Sequence, residues 1–368
     1  MTALSFRLLL LTALSSVNDY LFVSKEAVRN VPKHSKRVTL EDVARAVGVS
    51  TITVSRALRR PEMVSEGLRT RITTAVAELG YVPDPSARAL ASRRSNVIGV
   101  LIPSVTNNVF ADVLSGLYDT VTGTPYYVQL ANTRYIPSVE EDLIRIFLSQ
   151  RPAGLIVAGI DQSTASRALL EQADCPVVQI MDVSDTPVDM IVGFSHRDAA
   201  RAATEHLFAR GYKAPAFIGA RMDPRSERRL AGFSDAIKAA GPNGTLRKIT
   251  TAEPSSTHLG SELFDKLMEL EPETDAIFCN NDDLALGAQF AAQRRGLTIG
   301  RDIGICGFND LEVMGAAYPS ITSIRTFRRE MGELAARKIL ARLTEEDAGE
   351  PIIDLKWQLC ARDSTDRS

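Results

Sequence analysis

Thr51, Ile52, Thr53, Ser55 and Arg56 are small polar or methyl-bearing side chains and one guanidinium, at the spacing a short helix leaves on its outer face. A helix of that size and polarity can enter the major groove of DNA. The same face would also suit an ordinary αα-hairpin that meets only water. Enzymatic chemistry has less support. The chain carries no nucleophile–base motif, no phosphate-binding G-x-x-x-x-G-K and no zinc-ligand spacing. His34, His196, His206 and His258 stand apart, and His196, just before a helix, reads as a capping or packing residue. Cys175, Cys279, Cys306 and Cys360 are far apart and read as buried free thiols, in keeping with a reducing cytoplasm. No cofactor and no metal are expected.

Two helices joined by a tight turn would present those five side chains. Thr39 can cap the first, with Asp42 in the capping-box position. Leu40, Val43, Ala44 and Val47 form its apolar stripe, and Gly48 permits the positive φ that ends it. Ser50 caps the second helix, with Val54, Ala57 and Leu58 facing inward. Ser65 caps a third, with Leu68, Ile72, Val76 and Leu79 on one face and Gly80 as its stop. The three helices can bury one small core. Tyr81–Pro85 then reads as an extended linker fixed by two prolines. Ser86–Ser92 is a helix-prone stretch too short to be stable alone in water. It should form only when docked, and Arg93 and Arg94 beside it point to DNA.

Charge supports that reading. The whole chain of 368 residues carries a net −2, but Lys36–Arg94 holds eleven basic and six acidic residues, a net +5 that leaves −7 on the rest. A basic head on an acidic body suits a module that neutralises phosphates.

From Asn96 onward strand-like apolar runs alternate with helical patterns. The runs are Val97–Pro103, Tyr126–Ala131, Gly154–Ala158, Val177–Met181, Met190–Phe194, Ala216–Gly219, Ala276–Cys279 and Ile303–Phe308. Helical patterns lie between most of them, Phe327–Leu343 is a last long helix and Ile352–Leu355 a last strand. This order predicts an α/β body of doubly wound parallel sheets, long enough for two, with a ligand cleft at the strands' carboxyl ends. At the other end of the chain, Phe6–Leu14 is a short apolar run without a convincing cleavage site, read as part of a non-structural extension rather than an export signal. It is far too short to span a membrane.

The sequence resembles the lactose-repressor family of bacterial transcription regulators over about Val38–Cys360. The resemblance rests on TLEDVARAVGVSTITVSRAL, VSEGLRTRI, LGYVPDPSARALASRRSNVIGVLIP, RRLAGF, CNNDDLALGA and ICGFND. PSVTNNVFADVL, VGFSHRDAA, IGARMDPR and FCNNDDLALGAQF are closest in look to the family's gluconate repressors. The resemblance implies an all-α helix-turn-helix head on a two-lobed periplasmic-binding-protein-like (type I) effector domain. The divisions are an extension at 1–36, the head at 37–82, a hinge at 83–96, the effector and dimerisation body at 97–360 and a tail at 361–368.

It also implies roles. Thr51 and Ile52 would choose the operator, and Arg56 would read a base, a chemistry that a bidentate guanidinium performs on guanine. Thr39, Thr53 and Ser55 would serve phosphates. In the hinge helix, Leu90 would wedge into the minor groove, with Arg88 and Ala91 beside it. In the body, Arg229 matches an effector arginine, and Asp282 and Asp182 match acceptors of sugar hydroxyls. Asn132 and Arg134 fall in a ligand-facing loop, and Val109, Phe110 and Phe194 would pack on the ligand. Arg221, Arg225 and Arg229 together point to an anionic effector, because Arg binds carboxylates bidentately.

The expected protein is therefore a cytoplasmic homodimeric repressor of double-stranded operator DNA, controlled by a sugar or sugar acid such as gluconate, with no enzymatic activity and no membrane contact. A homodimer follows because one recognition helix reads half a palindrome. The alternative is a periplasmic-type sugar-binding protein, which shares the body but gives residues 38–95 no role.

Overall fold

A computed structural model describes residues 38–82, 94–241 and 245–367. They fall into two compact units, one holding residues 38–82 and the other the rest. The expected extension at 1–36 and the hinge residues Arg88, Leu90 and Ala91 lie outside the described residues.

The first unit is three helices, α1 (Leu40–Val47), α2 (Thr51–Arg59) and α3 (Glu66–Leu79). The capping box forms as expected. The Asp42 amide donates to Thr39 Oγ1 at 3.4 Å, and the Thr39 amide donates to Asp42 Oδ2 at 2.9 Å. Gly48 ends α1 at φ 74°, in the left-handed region, and the Thr53 amide donates to Ser50 Oγ at 3.1 Å to start α2. Val43, Ala44, Val47, Val54, Ala57, Ile72 and Ala75 make the core. Leu58 and Leu79 were expected inside, yet each is 38% exposed. Leu40, Val49, Val64, Leu68, Val76 and Tyr81 pack around this core instead. Ser65 sits at the start of α3, but its side chain makes no capping bond.

The second unit has two lobes. Lobe 1 begins with β1 (Val97–Ile102), α4 (Val109–Val121), β2 (Tyr127–Asn132), α5 (Pro137–Ser149), β3 (Gly154–Ala158), α6 (Thr164–Glu171), β4 (Val177–Ile180) and β5 (Met190–Gly193). Lobe 2 follows with α7 (His196–Ala209), β6 (Pro215–Gly219), α8 (Pro224–Ala239), β7 (Arg247–Thr250), α9 (Thr257–Leu270), β8 (Ala276–Cys279), α10 (Asp282–Arg294), β9 (Gly304–Asn309), α11 (Glu312–Ala316) and β10 (Thr322–Arg325). The chain then returns to lobe 1 for α12 (Arg328–Leu343) and β11 (Ile352–Asp354), and crosses again for β12 (Gln358–Cys360).

Lobe 1 carries the parallel sheet β11-β5-β4-β3-β1-β2, and lobe 2 the sheet β12-β10-β9-β8-β6-β7. The shared order β4-β3-β1-β2 and β9-β8-β6-β7 is the duplication that the alternating pattern implied. One pairing departs from the all-parallel expectation: β12 runs antiparallel to β10. Central strands such as β1 and β8 are buried on both faces, which is why they read as continuous apolar runs. Gly232 in α8 is required by packing, because a Cβ there would sit 2.0 Å from the Arg197 carbonyl oxygen of α7. Cys279 and Cys306 are buried as expected, whereas Cys175 and Cys360 are partly exposed, and all four thiols are free.

Candidate functional site

In the helical unit, α2 presents Thr51, Ile52 and Arg56 to solvent, and Ile52 is 68% exposed although no local contact requires an isoleucine there. Burying that side chain against a partner would be favourable. Among the described residues the Arg56 guanidinium has no partner, so its donors remain open to a base edge. Thr53 and Ser55 flank it, half-buried, with Thr53 Oγ1 2.8 Å from Ser50 Oγ. Thr39 is exposed, and its hydroxyl donates to Asp42 Oδ2 at 2.7 Å, which points it at its own capping box. Arg71 Nη2 donates to the Val47 carbonyl at 2.7 Å and fixes α3 against the end of α1.

In the body, a narrow cleft of about 40 Å³ lies between the lobes at the carboxyl ends of the strands. Val109 and Phe110 line it from the start of α4, and Arg221, Arg225 and Arg229 line it from lobe 2. Three arginines face one carboxylate, Asp223. Burial alone would raise Asp223, but Arg225 and the Ser226 amide outweigh it and hold the carboxyl below its usual range. Arg225 Nη2 lies 3.4 Å from Asp223 Oδ2, and Arg221 stacks its guanidinium 4.1 Å over the Tyr135 ring.

Arg229 is the most constrained of the three. Its guanidinium sits 3.9 Å from the centroid of Phe308. Nε donates to His196 Nδ1 at 3.2 Å, and Nη1 donates to the Asn280 carbonyl. Burial lowers it to about 10, so it stays charged at neutral pH, and Nη2 has no partner among the described residues. His196 packs, as its position before a helix suggested, between Phe194 and Phe308. Burial, with Arg229 beside it, pushes the imidazole well below its usual range and keeps it neutral. Phe194 is therefore a wall behind the site: it is fully buried, touches His196 and does not line the cleft.

Four expected residues stand elsewhere. Asp282 is turned away from the cleft: Oδ1 accepts from Ser323 Oγ at 2.6 Å and Oδ2 from the Leu311 amide at 2.7 Å. Its neighbour Asn281 lines the cleft, because Asn281 caps α10 through Oδ1 and the helix then carries Asp282 inward. Asp182 is buried and pairs with Arg228 at 3.0 Å rather than lining the cleft. Asn132 Oδ1 accepts from the Arg134 amide at 3.1 Å, Arg134 is exposed, and that loop gives Tyr135 to the cleft instead.

Asn309, like Asn281 and Tyr135, is a cleft residue that the sequence did not single out. It lines the cleft at the end of β9, is 2% exposed and holds φ 111°, a strained value for a residue with a Cβ. Its side-chain Oδ1 is buried without a partner. The motif ICGFND carried the signal, at the junction of a buried strand and a polar turn. Arg228 also went unassigned. From α8 in lobe 2 it reaches across to lobe 1, where it grips Asp161 through both nitrogens, one at 2.9 Å, and also Asp182.

A second chamber of about 260 Å³ adjoins the first, and Tyr135, Arg221, Asp223 and Arg225 line both. Thr133, Glu140, Ala158 and Asp161 are among its walls. No helix among the described residues is long and apolar enough to cross a membrane.

Residues 39–84 match the bacterial regulatory proteins of the lacI family, and residues 95–358 match the periplasmic binding proteins and sugar binding domain of the LacI family. The chain is 40% identical over 329 residues to the HTH-type transcriptional regulator GntR of Pseudomonas aeruginosa, covering 89% of this chain and 96% of that one. A crystal structure of a LacI-family transcriptional regulator from Silicibacter pomeroyi is 36% identical, with a TM-score of 0.84 over 90% of this chain and 100% of that one. The lac repressor dimer bound to operator and the anti-inducer ONPF is 28% identical, with a TM-score of 0.76 over 90% of this chain and 100% of that one. With a helix-turn-helix in one unit and a two-lobed cleft in the other, the chain belongs to the LacI family of bacterial transcriptional regulators.

Proposed function

We propose that this regulator acts as a cytoplasmic homodimer on a palindromic operator, and that a sugar acid, with gluconate the first candidate, controls its affinity for that operator. The observation that carries the effector class is the cleft's charge: Arg221, Arg225 and Arg229 against Asp223 alone. A carboxylate bound at the open Nη2 of Arg229 would offset the cost of burying that cation. Asn309, Asn281 and Ser226 supply amides and a hydroxyl for a polyol chain. On the DNA side, Thr51, Ile52 and Arg56 would read bases, Thr39, Thr53 and Ser55 would meet phosphates, and Leu90, with Arg88 and Ala91 beside it, would wedge into the minor groove.

Ligand that holds the lobes together would bias how the two bodies of a dimer meet, and through that the hinge at 83–96. Such coupling is typically about 1–3 kcal/mol, or roughly 5- to 150-fold in operator affinity. The relatives are transcriptional regulators, and no enzymatic role is proposed. A periplasmic-type sugar-binding protein would share the cleft, but the match over residues 39–84 favours the regulator. The test is fluorescence anisotropy on a duplex selected from a random pool, titrated with gluconate. A change of fivefold or more in affinity is expected. An unchanged affinity with gluconate and with other sugar acids would refute the reading.

A further inference from the structure

The chamber beyond Tyr135 is the larger of the two, so a ligand whose acid group sits on Arg229 has room to extend into it. Its walls differ from the arginine-rich chamber. Asp161 is neutralised by Arg228, and Asp223 by Arg225. That leaves Arg221, stacked on Tyr135, and Glu140, whose carboxylate has no hydrogen-bond partner among the described residues. Burial first, and Asp161 second, raise it to about 7 against the pull of Arg225, so near neutral pH it can both donate and accept. Arg221 in the same wall offsets that carboxylate, so the chamber carries little net charge, which suits a neutral group. Pro103, Ile136 and Ala158 add apolar wall, and the single methyl of Ala158 at the end of β3 leaves the space open.

Apolar walls with isolated polar groups suit the carbon face and hydroxyl edge of a sugar ring. We propose that this chamber is a subsite for a neutral glycosyl unit, so that the preferred effector is an aldonic acid bearing a second sugar on one of its hydroxyls. The acid end lies at Arg229, the chain passes Tyr135 and the glycosyl hydroxyls meet Glu140. This extension rests on the sugar-acid reading of the first chamber.

Isothermal titration calorimetry on the full chain separates the two claims, with gluconate and with maltobionate, which is gluconate glucosylated at one hydroxyl. Maltobionate is expected to bind at least tenfold tighter. Ala158→Phe, which fills the chamber, and Glu140→Gln, which removes its charge and one acceptor, should each reduce that advantage. Retained gluconate binding in each variant would report a folded protein. Gluconate binding with no gain from the glucosyl unit overturns the extension alone, as does a gain that persists in both variants. Failure of both ligands to bind wild type overturns the sugar-acid reading together with the extension.

Discussion

Arg229 Nε donates to His196 Nδ1 across 3.2 Å, and His196 Nε2 in turn lies 2.7 Å from the Met181 carbonyl. The partners assign the tautomer: Nε2 carries the proton and Nδ1 accepts. Arg229 and His196 belong to lobe 2, and Met181 follows β4 of lobe 1, so this cleft arginine is tied to the crossover between lobes. Replacing His196 with Phe keeps the packing against Phe194 and Phe308 and removes the acceptor. Effector affinity should fall roughly tenfold, the value of one to two kcal/mol for a charge-assisted hydrogen bond. Operator affinity without effector should hold. Calorimetry and anisotropy on the same variant check both.

Asn309 carries an unpartnered, buried Oδ1 at the cleft wall. If a ligand hydroxyl satisfies it, Asn309→Ala should weaken effector binding about 5- to 20-fold, the range for losing one buried hydrogen bond. Asn309→Gly, which removes the same unsatisfied acceptor and adopts φ 111° without strain, should not lower the apo melting temperature. Unchanged affinity would remove Asn309 from the site.

Asp282 gives a pH prediction. Burial raises it from 3.8 to about 7, against the pull of the Ser323 and Leu311 hydrogen bonds. The unfolded chain ionises this group near pH 4 and the folded chain near pH 7. Its favourable contribution is complete below pH 4 and is lost as pH climbs to about 7. Asp282→Asn should therefore gain stability relative to wild type between pH 4 and pH 8, by about 1–4 kcal/mol. Urea melts of both proteins at several pH values check it, and a constant difference would refute it.

Arg56→Ala should weaken binding to a selected duplex and relax specificity at one base pair, at roughly 1–3 kcal/mol. The comparison is with a scrambled duplex. Equal loss on both would make Arg56 a phosphate contact.

The fold was legible where residue type and period agreed. Thr39 with Asp42, Gly48 and Ser50 predicted the helix-turn-helix, because caps and turns are local chemistry. Buried parallel strands announced themselves as apolar runs. The strands that escaped notice were β7, β10 and β12, whose residues are RKIT, TSIR and QLC. β7 and β12 lie at sheet edges, where polar side chains are tolerated. In β10, Thr322 and Ser323 are buried only because Ser364, Thr365 and Asp282 satisfy them. Such long-range partners leave no local mark.

The same limit governed the site. The arginines were found by charge and motif, and they do converge. The resemblance points to Asp282, one residue past the Asn281 that lines the cleft, and a one-residue step turns a side chain about 100° around a helix. Only the cap at Asn281 decides which of the two neighbours faces the cleft.

The central claim is that Arg229 and its neighbours select an acid over the matching neutral polyol. The direct measurement is the melting temperature of the full chain with gluconate and with glucitol, for wild type and Arg229→Ala, since a ligand that binds only the folded state raises the transition. Gluconate should raise the wild-type transition, glucitol should not, and the variant should respond to neither. Equal stabilisation by glucitol, or an Arg229→Ala variant that still responds to gluconate at the same concentration, would contradict the account.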